Sequence, residues 1–201
     1  MAAHPPPAAP GQRIGLLGGS FNPPHAAHLL ISRIALTRLR LDRVWWLVSP
    51  GNPLKSTDEL APLPDRLQAA RALADNPRIV VTGFEAGLGT RYTVETIGFL
   101  KARYPAVRFV WVMGADNLAT FDRWREWRRI FAEVPVAVVD RPGWRLKGMA
   151  SKAARALQAA YVPEQHAATL ASLEPPAWTL LTGRLSPLSS TALRARARRV
   201  S

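Results

Sequence analysis

The chain contains no cysteine. That excludes a disulfide scaffold and a thiolate metal centre, and it fits a reducing cytoplasm, where the protein is expected to work. No apolar run approaches the length of a membrane span, so no membrane partner is expected. The opening Met1 to Gln12, rich in Pro and Ala, has neither an apolar signal core nor an Arg-rich amphipathic face. Residues 1–12 therefore read as a disordered tail. Lysine is scarce: only Lys55, Lys101, Lys147 and Lys152, against 27 Lys+Arg, 14 Asp+Glu and a formal net charge of +13. The arginines scatter over predicted helix faces apart from the cluster Arg194 to Arg199, so the charge outlines no groove and no specific nucleic-acid partner is expected. The familiar phosphate and metal signatures are missing as well. No Gly-Lys-Ser/Thr follows the glycines, Gly15, Gly18 and Gly19 do not make G-x-G-x-x-G, and no H-E-x-x-H occurs.

What is present points to one α/β domain over residues 13–201. A length of 201 residues with 48% hydrophobic content supports a substantial core. The chain is organised around Gly18-Gly19-Ser20-Phe21-Asn22-Pro23-Pro24-His25-Ala26-Ala27-His28, which follows the apolar run Ile14 to Leu17 and leads into an amphipathic segment. It reads as strand, tight loop, helix. Two glycines allow close approach of a ligand to the backbone, and the first amides of a helix favour an anion. His25 and His28, at i and i+3, share one helical face. A pair of proton donors beside a phosphate cradle suggests phosphoryl or nucleotidyl transfer. A cap or core role for either histidine is the plain alternative.

Strands then alternate with helices. A helix is expected to about Arg40 with Leu30, Ile31, Ile34 and Leu41 as its buried stripe, then a strand over Arg43 to Ser49. Lys55 follows in a Pro/Gly loop, at the strand's carboxyl end. Leu63 to Asp75 reads as a helix, Arg78 to Thr82 as a strand, and Gly83 to Arg91 as a loop with three glycines. A helix opens at Tyr92 and Thr93, with Thr93 the expected cap. Val107 to Met113, apolar and β-branched, suits the middle of a parallel sheet. Asp116, in Gly114-Ala115-Asp116-Asn117 after that strand, is placed either to accept from ribose hydroxyls or to cap the next helix. Phe121 to Phe131 carries Trp124 and Trp127 at core-like spacing. Val134 to Val139 is a further strand before Asp140-Arg141-Pro142-Gly143. Lys147 to Tyr161 reads as a helix, and Trp178 to Thr182 as the last strand. Near the end, Leu188-Ser189-Ser190-Thr191-Ala192-Leu193-Arg194 sets hydroxyls before a basic helix.

Two of these runs are distinctive together. The first resembles the G-G-[ST]-F-[DN]-P-x-H-x-G-H signature of bacterial nicotinate-nucleotide adenylyltransferases, members of the HIGH-type nucleotidyltransferase superfamily; Ala27 stands where that family usually has glycine. The second resembles the family's I-S-S-T-x-[IL]-R run, with Leu188 for isoleucine. The resemblance implies a doubly wound parallel sheet of Rossmann-like type and transfer of AMP from ATP to nicotinate mononucleotide. It implies His25, His28, Lys55 and Arg194 as the catalytic set. ATP would be held by Gly18, Gly19, Ser20, Phe21, Asn22, Asp116, Asn117, Ser189, Ser190 and Thr191. Nicotinate mononucleotide would meet Tyr92, Thr93, Arg141 and Trp124, the last lying eight positions after the aspartate. Arg91 departs from the family's usual small residue. Mg2+ is expected on the ATP phosphates, with no protein metal site. Two alternatives stand beside this reading: a related adenylyl- or cytidylyltransferase, such as one acting on pantetheine phosphate, and a non-catalytic nucleotide or nucleic-acid binder. Nothing in the sequence selects an oligomeric state.

Overall fold

A computed structural model describes residues 4–51 and 60–183. Six strands form one sheet: β1 (Arg13–Gly19), β2 (Arg43–Val48), β3 (Ile79–Thr82), β4 (Arg108–Gly114), β5 (Val136–Val139) and β6 (Trp178–Leu181). All neighbours are parallel, in the order β3-β2-β1-β4-β5-β6. The crossovers are made by α1 (Ala26–Arg38), α2 (Leu63–Leu73), α3 (Glu85–Leu88), α4 (Thr93–Arg103), α5 (Ala115–Leu118), α6 (Trp127–Glu133), α7 (Arg145–Met149) and α8 (Lys152–Ala156), with 3-10 turns between them. This is the doubly wound Rossmann order, which reverses between β1 and β4 and so opens a crevice at the carboxyl ends of those two strands.

Burial follows from the strands' own sequences. Val44 to Val48 and Phe109 to Gly114 are buried without a break, as strands covered on both faces must be. Alternation then sorts the side chains between two layers. Ile14, Leu16, Trp45 and Trp111 pack with α4 and α6, while Leu17, Trp46, Val110 and Val112 pack with α1 and α2.

Several local expectations are overturned by tertiary packing. His4 to Gln12 is no loose tail: Tyr104 Oη donates to Pro6 O at 3.0 Å, Gly11 N donates to Ala106 O at 2.7 Å, and Ala8 packs on the core. The stretch Phe121 to Phe131 is not one helix. It is a 3-10 turn over Phe121–Arg123, an extended Trp124, Glu126 at φ 50°, and then α6. This break lets Phe121, Trp127 and Phe131 all enter the core. The helix expected over Lys147 to Tyr161 divides at Ser151, whose Oγ accepts from Ala154 N at 3.2 Å and starts α8. The glycine loop after β3 contains α3, and Tyr92 rather than Thr93 occupies the N-cap of α4. Of the stripe expected for the first helix, Ile31 and Leu41 are buried, while Leu30 and Ile34 are half-buried and Ala27, Ser32, Ala35 and Leu36 complete the buried face of α1.

Candidate active site

The loop leaving β1 is built by close packing. A Cβ on Gly18 would lie 2.6 Å from the Trp111 ring, and one on Gly19 would lie 3.3 Å from the Phe21 ring. Both glycines therefore make room for aromatic rings in addition to any ligand they meet. Phe21 adopts φ 48°, a left-handed conformation costing a bulky residue about 1–2 kcal/mol. Its fully buried ring offsets this by packing on Trp46, 5.1 Å between centroids, and on His28, 4.5 Å away.

His25 ends the loop as the N-cap of α1, with extended backbone, and His28 is the third residue of that helix's first turn. Their rings lie 4.0 Å apart. The His25 N–H donates to His28 Nδ1 at 3.2 Å, and in that tautomer the His28 proton sits on Nε2, on the ring's other side. The backbone beneath is tied to β2: Ser32 Oγ donates to the His28 carbonyl at 2.8 Å and accepts from Trp46 Nε1 at 2.7 Å. Burial lowers the His25 pKa from 6.5 to about 4, helped by the positive charge of Arg141 and opposed by Asp116. Burial likewise lowers His28 to about 3, with the neighbouring His25 adding to the effect. Both imidazoles are neutral at pH 7. His25 is 7% exposed, and its Nδ1 is buried with no hydrogen-bond partner among the described residues.

Opposite lies the end of β4. Gly114 caps α5, and Asp116 turns back from the helix's first turn to pair with Arg141 Nη1, after β5, at 3.1 Å. Asp116 is thus an ion-pair partner instead of a helix cap. Its Oδ1 is buried without a hydrogen-bond partner among the described residues. A Cβ on Gly114 would fall 2.4 Å from that oxygen and 2.7 Å from Arg141 Cδ, so only glycine leaves the pair room. Asn117 is half-buried beside Asp116. Ser20 and Asn22 flank Phe21, and Asn22 Oδ1 accepts from Ala61 N at 3.4 Å.

A second cluster forms at the start of α4. The Tyr92 N–H donates to Thr90 Oγ1 at 3.2 Å, and the Arg125 guanidinium lies 4.4 Å from the centre of the Tyr92 ring. Arg125 also pairs with Glu95 at 3.5 Å. Trp124, next in the chain, is half-buried, edge-on to Trp111 at 6.1 Å, while Trp127 is a core residue. Thr96 Oγ1 donates at 2.7 Å to Glu85, whose pKa is raised by burial. Glu85 and Thr96 were not singled out by sequence pattern.

The most consequential residue that sequence reasoning passed over is Arg66. It is 3% exposed and donates to three carbonyls: Ser20 and Ser49 at 2.7 Å, Ala61 at 2.8 Å. The available signal was its place four residues before Ala70, the two forming the buried face of α2. Lys55, Ser189, Ser190, Thr191 and Arg194 lie outside the described residues. The sheet thus brings Gly18 to His28, Asp116, Asn117 and Arg141 to the crevice between β1 and β4, and Tyr92, Thr93 and Trp124 to a second cluster.

Among the described residues no helix is long and apolar enough to cross a membrane. Residues 16–196 match the model of the cytidylyltransferase-like family. A Methylorubrum extorquens protein named probable nicotinate-nucleotide adenylyltransferase is 60% identical over 184 residues, 92% of this chain and 100% of its own. One of the same name from Mesorhizobium japonicum is 53% identical over 189 residues, 94% of this chain and 97% of its own. The solved Plasmodium falciparum nicotinic acid mononucleotide adenylyltransferase complexed with NaAD superimposes with a TM-score of 0.69 at 18% identity, over 92% of this chain and 83% of its own. That likeness speaks for the fold, as the strand order does. The chain is a nucleotidyltransferase of the cytidylyltransferase-like family and belongs, with these relatives, to the nicotinate-nucleotide adenylyltransferases.

Proposed function

We propose that this enzyme transfers the AMP moiety of ATP to nicotinate mononucleotide, giving deamido-NAD and pyrophosphate, in the cytoplasm and within a single domain over residues 13–201. The observation that carries the chemistry is the pair of neutral imidazoles, the buried His25 and the half-buried His28, in the loop and helix start after β1, with Arg141 and Asp116 beside them. An oxygen of the mononucleotide phosphate attacks the α-phosphorus of ATP. The bond from that phosphorus to the bridging oxygen breaks, and its electron pair leaves with pyrophosphate. The imidazole N–H groups donate to phosphate oxygens that gain charge in this step. A triphosphate beside them raises their affinity for protons, so the depressed pKa values of the free chain rise when ATP binds. Lys55 and Arg194 are assigned to the same phosphates, and Ser189, Ser190 and Thr191 to hydroxyl and amide contacts with them.

Mg2+ bound to the triphosphate would spread the charge of the leaving pyrophosphate. In this proposal the phosphates themselves are its donors. The acceptor is assigned to the second cluster: the half-buried Trp124 stacks on the pyridine ring, and amides at Tyr92 and Thr93 receive its carboxylate. Release of pyrophosphate from ATP, measured with nicotinate mononucleotide, nicotinamide mononucleotide and pantetheine phosphate as acceptors, tests the reading. The first should be the preferred acceptor; preference for pantetheine phosphate, or release from none, refutes it.

A further inference from the structure

We infer that Arg66 is a positioning residue of the phosphate site, which locks the peptide unit of Ser20 and Phe21 and ties the loop that leads to His25 against the end of β2, so that the loop is set before the polyphosphate of a nucleotide arrives. This inference rests on the nucleotidyl-transfer reading for the identity of the ligand and on geometry for the rest.

The guanidinium is buried beneath the junction of three chain segments and donates to a carbonyl of each: Ser20 in the loop after β1, Ser49 at the end of β2, and Ala61 just before α2. No carboxylate among the described residues forms an ion pair with it, and burial alone depresses its pKa. An arginine kept in such a place, with carbonyl oxygens as its acceptors among the described residues, is costly unless its fork is needed to hold the segments in register.

Its effect on the loop follows from peptide geometry. In a trans peptide unit the N–H points opposite to the C=O. The Ser20 carbonyl points at Arg66, so the Phe21 N–H of the same unit points away from it. That N–H has no acceptor among the described residues. Phe21 itself holds the strained φ of 48°, and its ring is locked against Trp46 and His28. A strained residue, a fixed carbonyl and a locked ring shortly before the histidine pair set the course of this loop in advance of the ligand, so little reorganisation is left for the reaction itself. The same guanidinium holds Ser49 and so ties the end of β2 to the loop carrying His25.

The experiment compares Arg66→Met, Arg66→Lys and the unchanged protein by two measurements. Amide hydrogen exchange reads the loop directly, whether or not any variant turns over. The Met variant should exchange faster over residues 18–28 and 46–51 while residues 93–114 keep their protection. The Lys variant, which keeps the charge and loses the fork, should fall between. Unchanged exchange over 18–28, or faster exchange across the whole sheet, overturns the positioning role. Steady-state kinetics then reads the consequence: loss of charged hydrogen bonds should raise the KM for ATP about tenfold and leave the KM for the acceptor unchanged. A merely structural role lowers the active fraction and leaves both constants alone, and that result also overturns it. Should Arg66→Met fail to fold, the Lys variant carries both tests. If the unchanged protein releases no pyrophosphate, the proposed reaction fails, and the exchange data still decide the case of Arg66.

Discussion

The two clusters at this end of the sheet are built in opposite ways. At the end of β1 the groups are locked from below: His28 is packed on Phe21 and Trp46, Ser32 holds its carbonyl, and Arg66 clamps the loop. At the start of α4 the contacts are peripheral: an arginine over a tyrosine, an ion pair with both side chains about half exposed, and a tryptophan half in the core. Phosphate chemistry depends on donors aimed before the ligand arrives, and burial supplies that aim. Under the proposed function the second cluster would receive the acceptor, and recognition of one acceptor among several depends on a surface that admits and releases it, which a partly open cluster allows.

The largest expected effect lies in the rigid cluster. His25→Ala should lower kcat about a hundredfold or more, the loss of one donor to the developing charge being worth on the order of 3 kcal/mol. Its melting temperature should change little beside that, and near-normal turnover would remove the distinction between the clusters. The pH dependence of stability comes next. His25 and His28 have folded pKa values of about 4 and about 3, below the unfolded 6.5, so between these limits the unfolded chain binds protons that the folded chain does not. The stabilisation is therefore complete above pH 6.5 and is lost as pH falls, at roughly 1 kcal/mol per pH unit for His25 alone. Denaturation from pH 7 to pH 4 should show this slope, and it should be shallower in His25→Gln.

Gly18→Ala tests the packing beneath the loop. Its Cβ would meet the Trp111 ring at 2.6 Å, and overpacking of that kind costs about 1–3 kcal/mol, visible as a lower denaturation midpoint. If Gly18 serves ligand approach alone, the midpoint will not move. In the open cluster, Trp124→Ala should raise the acceptor KM several-fold and leave that for ATP alone, since stacking contributes about 0.5–1.5 kcal/mol beyond area burial. An unchanged acceptor constant would return this ring to the core. The smallest effect is expected from Arg125→Ala, whose exposed ion pair and ring contact are worth about 1 kcal/mol or less. A tenfold effect on acceptor binding would mean that the second cluster is as preorganised as the first.

Local pattern carried much of the frame. Alternating apolar runs and helical stripes located all six strands, and His25 and His28 were visible as a pair because i, i+3 spacing is a property of any helix. Two motifs, near opposite ends of the chain, pointed to the family. Legibility failed where a residue's role depends on what lies across the fold. Arg66 is spaced like any helix residue, Glu85 sits in a stretch read as loop, and the break at Glu126 follows from which aromatic rings the core admits.

Chain chemistry alone determined the period of each element, the glycines at the end of β1 and the placing of two imidazoles on one helical turn. Only the folded sheet decided that β1 lies beside β4, that Asp116 meets Arg141, and that Arg66 holds three carbonyls from three segments. The physical reason is range. Dihedral preference and helical period act over a few residues, whereas desolvation and ion pairing depend on which surfaces close over a group, and only the packed molecule settles those.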